Sequence, residues 1–266
     1  MAQNTALKTS DGVVLTSTEG DVLIQNYQFG NALKTYSPSI YLRTLDNLGL
    51  TRNTPFTAYG YINWKGVSTA QPFVRIPQSN GTLNLITSGK TAFATVGFNG
   101  TNVYDTQGSV AKVGSSDVAF LAWINLSQTV WKNRLDAATT TYAPPAAYTS
   151  EFTHFIFGFG SANGGVTGYN QALTDVRVFD RELLAAELNF AYNNRAGNPP
   201  LLTEGMIANW KFEKAEILTF KDSVQRVGVA DESGEGNHLY FVGLPAGTLQ
   251  QQADYVNNNN YFTLFL

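Results

Sequence analysis

Hydrolysis of a glycosidic bond on a strand scaffold needs two carboxylates at alternating positions, one kept protonated as the acid and one charged as nucleophile or base. The nearest approach in this chain is Glu213 and Glu216, which read better as a solvated strand end, and no E-x-D-x-x-E pattern occurs. Serine chemistry has no better support. His154 and His238 are the two histidines, and neither lies near a nucleophile-elbow pattern. Cysteine is absent, which removes a thiol nucleophile, a thiolate metal site and a disulfide framework, and leaves the redox compartment open. No catalytic residue is assigned, and the expectation is a protein that binds instead of converting.

Residues suited to binding are easier to find. In FTAYGYINWK, residues 56–65, Tyr59, Tyr61 and Asn63 share one face of a strand of period two. Two aromatic rings beside an amide make a sugar platform if that face is half exposed, and the same tyrosines also suit packing under a loop or in a subunit contact. Tyr104 is a further candidate stacking ring. Asp222, Asp231 and Asn237 lie in Gly-rich loops and carry the hard oxygen ligands that calcium takes, so calcium is the one cofactor in view. The Asp and Gly of DESGEGNH suit turn geometry equally well.

Elements have to position these groups, and composition says of which kind. Thirteen Tyr, seventeen Phe and four Trp favour strands over helices, and 266 residues suffice for one large sandwich with a proper core. A net charge of -3 with no basic run excludes an electrostatic nucleic-acid binder. Charged residues make up 14%, against about 25% in an average domain. A polar but mostly uncharged surface suits an oligomer interface, neutral sugars or a durable extracellular particle. No window is apolar enough for membrane insertion, and the segment after Met1 lacks the basic start and apolar core of a signal peptide, which gives the expectation of assembly in the cytoplasm.

Along the chain, residues 1–20 read as a polar N-terminal arm or edge strand. Residues 56–65 form the clearest strand, with Phe56, Ala58, Gly60, Ile62 and Trp64 opposite the tyrosines. Short strands punctuated by Ser79-Asn80-Gly81, Ser88-Gly89 and Asn99-Gly100 predict hairpins and an antiparallel sheet. Residues 118–126 read as a buried strand and 131–145 as an inserted loop, while HFIFGFG sets Phe155, Phe157 and Phe159 on one face.

In ALTDVRVFDRELLAAELNFAYNN, residues 172–194, a strand bearing Val176 and Val178 turns at Asp180 and Arg181 and passes into a short helix with apolar spacing at Leu184, Leu188, Ala191 and Tyr192. Such a helix does not persist alone in water, so it must lie against a sheet. Asp175, Arg177 and Arg181 read as a local salt-bridge cluster. Leu184 stands three residues ahead of Glu187, so half the capping box is missing, a loss of roughly 1 kcal/mol that packing of Leu184 is expected to offset. After Asn198-Pro199-Pro200, GMIANWKFE turns Met206, Ala208, Trp210 and Phe212 inward. The tail, with Tyr261, Phe262, Leu264, Phe265 and Leu266, is an aggregation hazard as a bare edge. It is therefore expected to add to a sheet, its own or a neighbouring subunit's, as an assembly element.

Two of these stretches resemble the laminin-G-like, concanavalin-A-like jelly-roll family. Residues 172–194 are similar to its closing pattern at Asp175, Val176, Arg177, Val178, Phe179, Arg181, Leu183, Glu187, Leu188 and Tyr192. GMIANWKFE and DESGEGNH resemble its opening, a W-x-F strand followed by D-x-S-G-x-G-N-H, yet here the opening follows the ending. The resemblance implies an all-β fold, a concanavalin-A-like jelly-roll sandwich of two antiparallel sheets with one short helix. A circularly permuted sandwich over 21–266, with 205–266 supplying its opening strands, is preferred to a second repeat that stops short.

This fold serves lectins, glycanases, adhesins and virion proteins alike. The expectation is a non-enzymatic virion structural or adhesion protein, a capsid decoration, head-fibre or tail-fibre component of a tailed phage. It would assemble in the host cytoplasm as a homo-oligomer or with other virion proteins, with a cell-surface glycan as a further partner. The alternative is a carbohydrate-binding module of a bacterial surface or secreted protein, extracellular or at the cell surface.

Overall fold

Strands in which large apolar residues alternate with others give a sheet two unlike faces, and this chain buries both faces of one of its sheets. In a computed structural model, the structure describes residues 7–8, 14–15, 31–33, 40–51, 53–64, 71–78, 81–88, 91–98, 101–105, 118–124, 129–132, 140–141, 152–157, 171–193, 202–259 and 261–264, in several strands by the backbone alone.

Among the described residues, an eight-stranded antiparallel sheet runs Thr140–Thr141, Thr129–Lys132, Val118–Ile124, Thr57–Trp64, Gln171–Phe179, Asn31–Leu33 and Phe262–Leu264, with Met206–Trp210 also paired to Gln171–Phe179. A nine-stranded antiparallel sheet runs Glu216–Thr219, Gln225–Val229, Leu239–Val242, Tyr41–Arg43, Ile156–Phe157, Gln71–Gln78, Gly81–Ser88, Thr91–Phe98 and Thr101–Asp105. Gln78 stands opposite Gly81, Ser88 opposite Thr91 and Phe98 opposite Thr101, the registers of the hairpins that the turn residues predict. Leu7–Lys8 and Val14–Leu15 pair apart from both sheets.

The facing sides of the two sheets share one core. Leu33, Ala58, Trp123, Val176, Val178, Ala208 and Trp210 come from the first sheet, and Leu42, Ile76, Phe157, Val227, Leu239 and Phe241 from the second. The rings of Phe157 and Trp210 meet across it at 5.1 Å. This is the all-β jelly-roll sandwich that the resemblance implies. Strands from the C-terminal part enter both sheets: Met206–Trp210 beside Gln171–Phe179, Leu239–Val242 beside Tyr41–Arg43, and Phe262–Leu264 beside Asn31–Leu33.

The outer face of the eight-stranded sheet is apolar too. Tyr59, Tyr61, Phe120, Ala122 and Phe179 form a second layer with Leu188 and Ala191 of the helix Ala185–Asn193, which lies over them as its length requires. Leu184 departs from its expected role. At 69% exposure it packs on nothing that could offset a weak cap. Glu187 supplies the half of the capping box that is present, its Oε2 accepting from the Leu184 N–H at 2.8 Å, while its two oxygens also accept from Arg181 at 2.9 and 2.6 Å. Met206 departs as well. A bulge opposite Val178 and Phe179 lets Ile207 pack on the inner core and sends Met206 to the outer layer, while Ala208, Trp210 and Phe212 stay inward.

A second helix, Leu249–Asn258, was not foreseen beside the one that was. Thr248 caps it with a complete capping box to Gln251, and it buries Ala253 and Val256. Leu249, Ala253 and Val256 of its run LQQQADYVNN recur at helical spacing, a thin apolar stripe on an otherwise polar helix. The helix delivers Asn257, whose side-chain amide pairs with both backbone groups of Ala215, at 2.9 and 3.0 Å, just before the edge strand Glu216–Thr219. The tail adds to its own sheet. Tyr261 is 3% exposed against Phe241, and Phe262–Leu264 pairs with Asn31–Leu33 of the same chain. The Leu264 side chain, Phe265 and Leu266 lie outside the described residues.

Candidate functional site

The strand Met206–Trp210 and the loop 231–238 hold each other by side chain to backbone. Asp231 accepts four hydrogen bonds: at Oδ1 from the N–H groups of Asn209 and Ser233 at 2.8 and 2.9 Å, and at Oδ2 from Ser233 Oγ and the Asn237 N–H at 2.8 and 2.9 Å. In return Trp210 Nε1 donates to the Asn237 carbonyl at 2.8 Å, Asn237 Nδ2 donates to the Ile207 carbonyl at 2.7 Å, and the Glu232 N–H donates to the Asn209 carbonyl at 2.8 Å. Gly234 and Gly236 turn with φ of 93° and 69°, a region where a side chain is strained. The two stretches that resemble the family's opening are therefore one latch.

The oxygens of the three calcium candidates are all engaged in hydrogen bonds. Both Asp231 oxygens face N–H and O–H donors, Asn237 Oδ1 accepts from Lys221 Nζ at 2.6 Å, and Asp222 is bound twice by Arg226 at 2.8 and 2.6 Å. Among the described residues no group of three or more His, Asp or Glu converges. Asp231, Ser233 and His238 also fail as a serine triad, because Ser233 Oγ donates to Asp231 and His238 Nδ1 accepts from the Asp231 N–H at 2.9 Å, leaving hydroxyl and imidazole unpaired with each other.

The sugar platform expected at Tyr59 and Tyr61 is covered. Each is 2% exposed, and the Tyr61 hydroxyl donates to the carbonyl of Ala191 in the overlying helix at 2.7 Å. Burial raises the Tyr59 phenol well above its usual range, against the pull of Arg177. Arg177 is itself buried at 6% exposure, with its guanidinium 5.9 Å from the Tyr59 ring and paired with Asp175 at 2.9 and 3.0 Å. Burial opposes its charge, and Asp175 outweighs burial to keep it protonated. Asp175 and Arg177 thus form the expected pair, while Arg181 belongs to Glu187. The side chains of Asn63 and Tyr104 lie outside the described residues.

Two surface features were not singled out by sequence. An open cleft of about 120 Å³ is lined by Lys211, Phe212, Glu213, Lys214, Glu216, Val229, Ala230 and Glu232. Its charges are paired: Lys211 Nζ with Glu232 Oε2 at 2.6 Å and Lys214 Nζ with Glu216 Oε1 at 2.6 Å. Phe212, fully buried, anchors its floor to the core. The other feature is a ladder on the outer face of the nine-stranded sheet, where the Arg43 guanidinium lies 5.6 Å from the Tyr240 ring and Arg226 lies 5.3 Å from both Tyr240 and Phe220. Alternation alone cannot bring Arg43 and Tyr240 together, since their register depends on a pairing across nearly the whole chain.

No family model matches the chain, and no curated protein matches it. Among solved structures it is similar to the native heptameric SAP-like pentraxin of Limulus polyphemus, at 11% identity over 80% of this chain and 93% of that one, with a TM-score of 0.45. It is similar to a Bacteroides ovatus protein assigned as carbohydrate binding, at 14% identity over 84% of this chain and 60% of that one, with a TM-score of 0.48. Trypanosoma rangeli sialidase in complex with sialic acid gives 11% identity over 74% of this chain and 37% of that one, with a TM-score of 0.41. At these identities and scores the likenesses assign neither a ligand nor a reaction. No helix among the described residues is long and apolar enough to cross a membrane.

Proposed function

We propose that the chain is a non-enzymatic, lectin-like sandwich that takes a neutral glycan in the cleft between 211–216 and 229–232. The lining of that cleft carries the reading. A sugar hydroxyl both donates and accepts, and the paired Lys211–Glu232 and Lys214–Glu216 offer donors beside acceptors at one surface. Because their charges nearly cancel, the cleft has no strong pull on a polyanion. Two carboxylates outside the cleft are unsuited to acid catalysis. An acid catalyst needs a carboxyl raised in pKa, whereas Glu187 is held low by its hydrogen bond from Arg181 and Asp222 is held down to about 2 by Arg226. A neutral-glycan array, followed by calorimetry on Lys211→Ala and Glu232→Ala, tests the site. A ligand whose affinity falls about tenfold in both variants supports it, and a ligand that both variants bind as tightly as the parent removes the cleft from the reading.

A second reading makes this sandwich a virion structural or adhesion component, exported or assembled as a homo-oligomer. It is favoured by Phe262–Leu264, which stands at the open edge of its sheet where another chain could pair. The two readings are compatible, since a virion protein can bind glycans. Light scattering after size exclusion distinguishes them: a stable multimer that co-purifies with particles supports assembly, and a clean monomer opposes it.

A further inference from the structure

Register sets Arg43 between Tyr240 on one neighbouring strand and Ile156 on the other. Leu42, Phe157 and Phe241 turn into the core, so these three half-buried residues share the outward face of the nine-stranded sheet. Arg43 stacks on Tyr240, and among the described residues its one hydrogen bond runs from Nε to the Thr44 carbonyl at 3.2 Å, which leaves both Nη groups without a partner. On the far side of Tyr240 the charge of Arg226 is already matched by Asp222. His154, close enough to feel the charge of Arg43, is held down to about 4 by burial first and by Arg43 second, so it is neutral at pH 7. Among the described side chains the face therefore presents one unmatched positive charge, on a planar fork that an aromatic ring holds in place; the side chain of Arg75, which register sets on the other side of Ile156, lies outside them.

We infer that Arg43, held on Tyr240 and flanked by Ile156, takes the carboxylate of a uronate residue in an acidic glycan through its paired Nη–H groups. A planar carboxylate fits a guanidinium fork with two parallel bonds. One unmatched charge suits a monoanion better than a phosphate dianion, and a chain of net charge -3 repels a polyanion. Ile156 and the edge of Tyr240 give the C–H side of a pyranose an apolar neighbour. A carboxylate fixed on a sugar ring also binds without the rotamer entropy that an aspartate or glutamate side chain of a peptide would lose. The inference rests on the glycan-binding reading for the class of ligand, but it uses a different surface from the cleft.

Calorimetry with a xylotriose bearing one glucuronate, its methyl ester and a peptide bearing one glutamate tests it on the full chain. The free acid should bind about tenfold more tightly than the ester, and Arg43→Gln should remove about tenfold of that affinity while Glu232→Ala leaves it unchanged. Arg43→Lys keeps the charge and the stack but not the fork, so it should fall between, with circular dichroism matching the parent. Equal binding of ester and acid, full affinity in Arg43→Gln, no binding of the acid, or equal binding of the peptide would each overturn the inference. If Glu232→Ala instead loses a neutral glycan and keeps the acid, the Arg43 site stands independently of how the cleft is judged. If neutral binding survives in every variant but the acid is not bound, the Arg43 site alone fails.

Discussion

The Tyr61 hydroxyl is buried with its ring, and the carbonyl of Ala191 is what keeps that burial tolerable. Replacing it in Tyr61→Phe should lower stability by about 1 kcal/mol. Urea denaturation measures this, and an unchanged midpoint would mean the bond contributes nothing net. His154 gives a pH dependence of known sign. Its imidazole takes up a proton near pH 4 in the folded protein, against 6.5 for the ordinary group, because burial and then Arg43 disfavour the charged form. Between those values the unfolded chain holds more protons, so His154 makes stability fall as pH drops from about 6.5 to about 4. His154→Gln should therefore lose less stability than the parent between pH 7 and pH 5, and parallel losses would show that His154 is not responsible. At this scale the period-two reading of residues 56–61 separated the two faces correctly. What it could not say is which face a helix more than a hundred residues later would cover.

Among the elements, the helix Ala185–Asn193 offers the cleanest test because its cap is half built. Glu187 already accepts from the Leu184 N–H, and Leu184 is exposed with no contact to lose. Leu184→Ser should complete the capping box and raise stability by about 0.5–1 kcal/mol. A thermal melt that does not rise would mean the exposed leucine contributes more than its surface suggests. The strand and helix of 172–193 were legible because their periods change from two to three or four within a few residues and a turn separates them. The helix Leu249–Asn258 was not, since its signal is a capping box, Thr248 with Gln251, ahead of a mostly polar run with a thin apolar stripe. The latch between 206–210 and 231–238 was visible as two motifs. That Asp231 joins them, instead of reaching a metal, depends on where its four donors fall.

For the molecule as a whole, the tail is an internal edge strand. Deleting residues 261–266 removes buried Tyr261 and the pairing with Asn31–Leu33, so stability should fall by about 3 kcal/mol or more. If a second chain pairs at the edge of Phe262–Leu264, the oligomeric mass read by light scattering should fall as well, and an unchanged mass would place assembly elsewhere. A truncated protein of normal stability and altered mass would show that the tail instead serves a neighbouring subunit. Composition and hairpin spacing made an antiparallel β protein readable, while the jelly-roll sandwich was implied by the resemblance that two motifs carry.

That strand order has a consequence during synthesis. Asn31–Leu33 and Tyr41–Arg43 each gain one neighbour at 173 and 156–157, but the strands that close their other edges, 262–264 and 239–242, leave the ribosome some two hundred residues after them. A nascent chain must keep those early segments from sticking elsewhere until almost everything has been translated, and closure of so distant a pairing is slow. Chains arrested near residue 200 should be cut by protease faster than the full chain at 31–33 and 41–43, and equal protection before Leu239 has emerged would mean that the neighbours at 156–157 and 173 suffice.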